Sequence, residues 1–344
     1  MEKNNLYSYS AASTFPLKLL LHPDLLLSCR KEHKVIPLHL QLNPTNRCNF
    51  DCPICSCSAR DKSLELSLKD IRKLMVTFKV CGGKAVTITG GGDPAMFKDF
   101  SDMIKNIAYL GIDIGLVSNG TLMDKLDPVL DLITWFRISS SDHILSQLKS
   151  IKSSVPEWSA RISKSVKNHP DVDFAFSHVV TEKTNLTRKW RDFKFVANLV
   201  RFAIKHDFTH VRLVNDIFKA DGLRDTMADL HEYLVDFAHL DVSKVNFQAR
   251  SDWTKGFNPC YLSLLKPVLG ADNFLYPCCG TQYALADPSR DYEKSMRMGY
   301  WTDFKDIVDT QRFFDGSGCD KCYYAGYNII LDVMLNGLKH ENFA

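Results

Sequence analysis

Asn43-Pro44-Thr45-Asn46-Arg47-Cys48-Asn49-Phe50-Asp51-Cys52-Pro53-Ile54-Cys55 follows directly on the apolar run Leu38–Leu42. The run reads as a strand and the stretch after it as the loop leaving its C-terminal end, where parallel α/β folds place their chemistry. Three thiolates spaced C-x3-C-x2-C can hold three corners of a [4Fe–4S] cube and leave the fourth iron without a protein ligand. An open iron can take a small molecule, which separates a reactive cluster from a closed electron carrier. A structural zinc site that recruits Cys57 as fourth ligand is the alternative, although one residue between Cys55 and Cys57 makes that geometry awkward.

Outward from this loop the chain alternates between short apolar runs and amphipathic stretches. Leu66–Lys79 carries apolar residues at Leu68, Ile71, Leu74, Met75 and Phe78, the spacing of one helix face. Ala85–Thr89, Ile112–Val117, Trp135–Ser139, Val172–Val180 and His210–Val214 read as further strands. Phe97–Leu110, Lys125–Leu132, Trp158–Val166 and Phe193–His206 read as the helices between them. A repeat of about six βα units predicts parallel strands with helices outside, barrel-like or doubly wound. Periodicity does not choose between the two. Met227–Leu240 is one more amphipathic helix, and after Arg250 the chain turns to short apolar runs, turns and cysteines. The expected organisation is an N-terminal helical extension over 1–36, an α/β domain over 37–250 and a smaller C-terminal α+β domain over 251–344.

That C-terminal part contains Cys260, Cys278, Cys279, Cys319 and Cys322. Leu262–Leu269 and Phe274–Pro277 read as a hairpin around Gly270, and Cys319-Asp-Lys-Cys322 follows some forty residues later. Cys260, Cys278, Cys319 and Cys322 can close a four-cysteine site, for which zinc is a sound occupant. Cys279 is then left over, as packing or as a hydrogen-atom donor. Cys29, Cys57 and Cys81 read as buried thiols.

Composition sets the frame. The chain has 344 residues, 45% hydrophobic and 24% charged, with a formal charge of +3. These values suit a globular chain with a substantial core and point to neither nucleic acid nor membrane. Pro16–Leu27 is interrupted by Lys18, His22, Pro23 and Asp24, too short and too broken to span a bilayer, and reads as a surface helix. Eleven cysteines without a secretory signal predict a cytoplasmic protein that uses them for metal rather than disulfides.

The cysteine loop together with Thr89-Gly90-Gly91-Gly92-Asp93-Pro94 at the end of the next strand resembles the radical S-adenosylmethionine (SAM) superfamily. That family's Gly-Gly-Glu-Pro motif holds the amino group of the SAM methionine. Glycines allow close backbone approach, and a carboxylate accepts from an ammonium. The resemblance implies a partial (β/α)6 barrel, a SAM-bound [4Fe–4S] cluster on Cys48, Cys52 and Cys55, and SAM contacts from Gly90, Gly91, Gly92 and Asp93. It extends to Ser118 and Asn119 in Val117-Ser-Asn-Gly120, to Ser139 in Arg137-Ile-Ser-Ser-Ser141 and to Thr181 after the fifth strand. Two departures stand out: Ile54 replaces the usual aromatic residue before the third cysteine, and Asp93 is one methylene shorter than Glu.

Resemblance to the shortened SPASM form called a twitch domain implies one auxiliary [4Fe–4S] cluster on Cys260, Cys278, Cys319 and Cys322. Five cysteines are too few for the two clusters of a full SPASM domain. The implied chemistry is reductive SAM cleavage to a 5′-deoxyadenosyl radical and abstraction of hydrogen from a C–H bond. An electron taken up by the auxiliary cluster then makes the outcome a two-electron oxidation, with epimerisation or rearrangement left open. A flavodoxin- or ferredoxin-type electron donor is implied as partner. Forty-seven residues precede Cys48, too few for a leader-binding domain, which favours a small molecule such as a sugar, cyclitol or nucleoside. A peptide or nucleic-acid substrate stays open, the latter through Lys183, Arg188, Lys189, Arg191, Lys194, Arg201 and Lys205, which otherwise form a solvated helix face. The alternative of another class is a non-catalytic zinc or iron–sulfur protein.

Overall fold

The structure, a computed structural model, describes residues 16–141, 148, 154–180, 189–215, 224–248, 254–280, 296–320 and 322–339. Two compact units emerge. One comprises Asn49–Ile54 and the described residues of 115–252, the other the described residues of 16–48, Cys55–Ile114 and the described residues of 253–344.

In the second of these units, strand β1 (His39–Leu42) pairs in parallel with β2 (Ala85–Ile88), His39 opposite Ala85. Helix α1 (Pro23–Glu32) precedes them, and α2 (Leu68–Val80) joins them. Ser67 starts α2: its Oγ accepts the Asp70 N–H at 3.0 Å and donates to the Asp70 carboxylate at 2.7 Å. Ile71, Leu74, Met75 and Phe78 then turn inward at helical spacing. Helix α3 (Phe100–Tyr109) follows a single 3-10 turn at Pro94–Met96. Leu40 and Leu42 of β1 are fully buried, each contributing about 1.5–3 kcal/mol by leaving water.

Strand β3 (Asp113–Ser118) leads into the other unit, where β4 (Trp135–Ser140), β5 (Asp173–Val180), β6 (His210–Asn215) and β7 (Val245–Gln248) follow in parallel and in chain order. A doubly wound sheet would reverse its order at a switch point. This run does not, so the alternation read from the sequence resolves as barrel-like. Helix α4 (Met123–Leu126) passes into a 3-10 turn at Asp127–Leu132, where Pro128 supplies no N–H to continue an α-helix. Helix α5 (Val155–Asn168) opens with a reciprocal cap: Ser154 N–H donates to the Glu157 carboxylate at 2.8 Å, and Glu157 N–H to Ser154 Oγ at 3.3 Å. Helices α6 (Lys189–Lys205) and α7 (Arg224–Glu232) complete the unit, α7 running into a π-helical turn at Tyr233–Phe237.

Past residue 253 the chain returns to the unit of β1. Strand β8 (Val268–Leu269) pairs in parallel with β1, and β9 (Phe274–Tyr276) and β10 (Gly299–Tyr300) add on antiparallel. The hairpin turning at Gly270 is present, but its first arm is shorter than expected. Leu262–Leu265 forms a short helix, α8, instead of strand. All four of its residues are buried, and an apolar run buried on every side carries no period to separate helix from strand. Helix α9 (Phe304–Asp309) sets Phe304 on Phe78 of α2, ring centroids 6.2 Å apart. Helix α10 (Ala325–Asn336) runs beside α1, with His33 Nδ1 3.0 Å from the Leu335 carbonyl. No helix among the described residues is long and apolar enough to cross a membrane.

Candidate active site

The segment entering the cysteine loop is held by backbone. Gly92 N–H donates to the Thr45 carbonyl and Asp93 N–H to the Arg47 carbonyl, both at 2.9 Å, so the end of β2 runs along residues 45–47. A Cβ on Gly91 would stand 1.8 Å from Asn46 Oδ1, and one on Gly92 1.9 Å from the Arg47 carbonyl. Only glycine lets the two segments approach this closely. Arg47 braces the same place, its Nε and Nη2 donating to Glu65 at 3.1 and 2.5 Å and Nη2 also to the Met96 carbonyl at 3.0 Å. Asp93 is 5% exposed and its Oδ1 accepts the Ala95 N–H at 3.0 Å, capping the 3-10 turn. One carboxylate oxygen of this expected SAM contact therefore has a local structural task.

All eleven cysteines are free thiols, with Cys48, Cys52 and Cys55 half-buried. The environment of Cys55 favours the thiolate. It accepts from the Cys57 thiol, from the Cys57 N–H at 3.4 Å and from Arg60 Nη1 at 3.6 Å, and despite burial its pKa is lowered to about 6. Arg60 is 7% exposed and also donates to the carbonyls of Asn46 at 2.8 Å and Cys57 at 2.5 Å, binding both ends of the loop to one guanidinium. Cys57, 2% exposed, is held up by donating to Cys55 and by burial, and its Sγ lies 3.7 Å from the Gly90 carbonyl. The sequence offers Cys57 as a buried thiol or, in the alternative, a fourth zinc ligand, and does not single out Arg60. No motif marks an arginine five residues past the last cysteine.

Within the other unit, Asn119 Nδ2 donates to Asn49 Oδ1 at 2.8 Å, and Asn49 Nδ2 to Thr121 Oγ1 at 2.8 Å. Asn119 Oδ1 accepts from Thr121 N–H at 2.9 Å, and its carbonyl accepts from Trp158 Nε1 at 3.0 Å. Ser118 Oγ accepts the Gly120 N–H at 3.2 Å, and Gly120 takes φ +68, the left-handed turn that ends β3. Ser118 and Asn119 are thus built into the turn itself. Ser139 lies half-buried on β4, aligned with Ser177 of β5. Thr181, Lys183 and Arg188 lie outside the described residues, as do the side chains of Lys189 and Arg191.

Two antiparallel bridges, Thr254 with Cys322 and Cys260 with Phe314, gather the C-terminal cysteines. Gly256 N–H donates to the Cys319 carbonyl at 2.8 Å, and a Cβ there would stand 2.7 Å from the Cys319 Cβ. Cys278 feels Cys279, Cys260 and Cys319 electrostatically, and Cys260 feels Cys322 and Cys319. Cys260, Cys278, Cys319 and Cys322 thus lie within electrostatic range of one another in part, Cys279 among them. Burial, with the neighbouring thiols, pushes Cys260 up to about 11 and raises Cys278 and Cys319, and burial raises Cys322. Cys279 Sγ lies 3.1 Å from the Tyr324 hydroxyl. Among the described residues, no group of three or more His, Cys, Asp or Glu side chains is arranged so that it could hold a metal ion.

A family model of the radical SAM superfamily matches residues 42–144. The GTP 3′,8-cyclase of Vibrio vulnificus strain YJ016 is 37% identical over 94 residues, 25% of this chain and 28% of its own. That of Mannheimia succiniciproducens is 36% identical over 93 residues, 25% of this chain and 27% of its own. The chain thus spans little more than a quarter of the curated relatives it matches. Streptococcus suis SuiB, solved bound to precursor peptide SuiA, superposes with a TM-score of 0.61 at 16% identity, over 91% of this chain and 72% of that one. The protein anSMEcpe, solved with AdoMet and the Kp18Cys peptide, superposes with a TM-score of 0.54 at 14% identity, over 87% of this chain and 96% of that one. At these identities the likeness establishes the fold, an α/β partial barrel with a parallel sheet.

Proposed function

We infer that this chain, which belongs to the radical SAM superfamily, holds a [4Fe–4S] cluster on Cys48, Cys52 and Cys55, cleaves SAM reductively and abstracts hydrogen from a small-molecule substrate. The observation that carries the reading is the backbone pairing of Gly92 and Asp93 with Thr45 and Arg47, which lays the glycine run directly against the entrance to the three-cysteine loop. Three free thiols, one already favoured as thiolate, suit iron as ligands. When bound, the cluster and SAM supply the C–S cleavage that generates a 5′-deoxyadenosyl radical. The chain's own part is binding and orientation. Gly90–Asp93 offer close backbone and a carboxylate to the methionine end of SAM, while Ser118, Asn119, Ser139 and Thr181 are the contacts proposed beyond it. Arg60 and Cys57 keep the loop in shape and donate to the Cys55 sulfur.

Cys260, Cys278, Cys319 and Cys322 are proposed to hold an auxiliary [4Fe–4S] cluster in the region 251–344, behind a barrel domain at 37–250. An electron acceptor there favours two-electron oxidation of the substrate. The local similarity to a GTP 3′,8-cyclase supports a nucleoside among the sugar, cyclitol and nucleoside classes. A redox-neutral outcome is the second reading. Cys279 stands outside the four proposed ligands and lies 3.1 Å from the Tyr324 hydroxyl, a pair able to return a hydrogen atom.

Anaerobic reconstitution with iron and sulfide tests the assignment. The expected product is a brown protein with about eight irons, two cubanes' worth, that releases 5′-deoxyadenosine when reduced with SAM. A colourless protein holding only zinc overturns it in favour of a non-catalytic metal protein.

A further inference from the structure

Arg60 is a buried cation beside one of the proposed cluster ligands. It is 7% exposed and lies on the segment that follows the three-cysteine loop. Its Nε donates to the Asn46 carbonyl at 2.8 Å. Its Nη1 donates to the Cys57 carbonyl at 2.5 Å and to the Cys55 sulfur at 3.6 Å. The stem passes the glycine run, where a Cβ on Gly91 would stand 3.5 Å from Arg60 Cδ. Two carbonyls, one before the loop and one after it, thus fix where the guanidinium sits.

Fixing two carbonyls does not call for a charge. A neutral amide can donate to a carbonyl, whereas a guanidinium is costly to take out of water unless an anion meets it. Among the described residues, the groups that accept from Arg60 are those two carbonyls and the Cys55 sulfur. Of the three, the sulfur is the one that can carry a negative charge, as it does when it ligates a metal. Arg60 is therefore matched to Cys55 in the state the proposed cluster requires. At Cys260 the side chain that donates to sulfur is instead the neutral amide of Asn328, at 3.8 Å.

Reducing a [4Fe–4S] cluster held by three thiolates adds an electron to a group that is already anionic. A fixed cation hydrogen-bonded to one of those thiolates favours the reduced form over the oxidised one. Local charge and hydrogen bonds to sulfur set such potentials, and burial keeps water and salt from screening the charge. We propose that Arg60 is a positioning residue that acts through the Cys55 sulfur to raise the reduction potential of the SAM-binding cluster. It brings that potential within reach of a low-potential, one-electron donor of flavodoxin or ferredoxin type. One electron passes from the donor to the cluster, and no proton has to follow, because the compensating charge is already in place. This role rests on the proposed function, in which Cys48, Cys52 and Cys55 hold the cluster, and adds to it the residue that makes the cluster reducible.

A redox titration of the reconstituted protein, followed by electron paramagnetic resonance, tests it. The first cluster is the one whose reduced signal changes when SAM is added, and the auxiliary cluster is the internal control. Arg60→Gln, which keeps amide donors without the charge, should retain its iron. It should make the first cluster at least about tenfold harder to reduce, a fall in midpoint of about 59 mV for one electron. Arg60→Lys, which keeps the charge but not the fork, should show a smaller fall. The auxiliary midpoint should stay at its wild-type value in both. An unchanged first midpoint in Arg60→Gln overturns the proposal, as does an equal fall at both clusters. If Arg60→Gln loses iron, Arg60→Lys carries the reading, and no fall there overturns the proposal. Loss of the first cluster's iron from both variants overturns it too, leaving Arg60 as a brace of the loop. A wild type without a SAM-sensitive signal fails the proposed function itself, before any variant is compared.

Discussion

The two cysteine regions differ in what surrounds sulfur. Cys55 is met by donors, the Cys57 thiol and N–H and the Arg60 guanidinium, and its pKa drops to about 6. Cys260 also accepts, from the Ser263 N–H and from Asn328 Nδ2 at 3.8 Å, but burial outweighs these donors and its pKa rises to about 11. The first loop therefore presents a negative sulfur before any metal arrives. The C-terminal set consists of thiols that keep their protons near pH 7, so a metal proposed there would have to displace them. A site built to leave one iron open has only three thiolates to hold its cluster, and donors to sulfur help shape the loop.

Replacing the ligands breaks this comparison most strongly. Cys48→Ala, Cys52→Ala and Cys55→Ala should each abolish 5′-deoxyadenosine formation in the reduced protein, followed by chromatography. Cleavage that persists in all three removes the first loop from the chemistry. The double variant Cys319→Ala/Cys322→Ala should lose about half of its iron, one of two cubanes, and still cleave SAM. Circular dichroism and gel filtration must accompany it, because four-cysteine sites contribute to folding. Unchanged iron in a folded double variant rules out the ligand assignment, and normal product formation without that iron removes the case for oxidation.

Thiol labelling sharpens the contrast without any metal. In metal-free protein at pH 7, iodoacetamide should modify Cys55 before Cys260, Cys278, Cys319 and Cys322, as resolved by peptide mass spectrometry. Only the thiolate reacts, and Cys55 is the one held down. Arg60→Gln should slow Cys55 labelling while leaving the C-terminal rates alone. Equal rates at all five positions would mean the donors around Cys55 do not set its ionisation.

The smallest effect concerns a buried histidine in the unit of β3–β7. His178 on β5 is 3% exposed, and burial lowers it from 6.5 to about 4. The unfolded chain binds a proton there below pH 6.5 that the folded chain refuses. Stability is thus full above 6.5 and falls as pH drops toward 4, by at most about 1.4 kcal/mol per pH unit. His178→Gln should flatten the urea-denaturation midpoint against pH over that window. An unchanged slope would place the titration elsewhere.

Much of the fold was legible because its signals are local. The alternation of apolar runs and helical faces located β1 to β6 to within a residue or two at most ends. Strand β7 was missed because its alternate residues, Asn246 and Gln248, are polar, and a short half-polar run reads as loop. Gln248 is polar for a reason seen only in the fold: it holds Arg212 at 2.6 Å. The Lys125–Leu132 stretch ended early at Pro128, a signal that was present and underweighted.

By itself, the sequence determined the three-cysteine loop, the glycine run one βα unit later and the parallel α/β class. Spacing along the chain and the strand and helix periods are enough to express each of these. Tertiary structure alone decided that β8 joins β1, that Asn49 meets Asn119 across seventy residues, that Arg60 faces Cys55, and that Gln248 of β7 holds Arg212 of β6. Those placements depend on strand register and on contacts between distant segments. A register shift of one residue would turn Gln248 to the face opposite Arg212, and no local pattern encodes that choice.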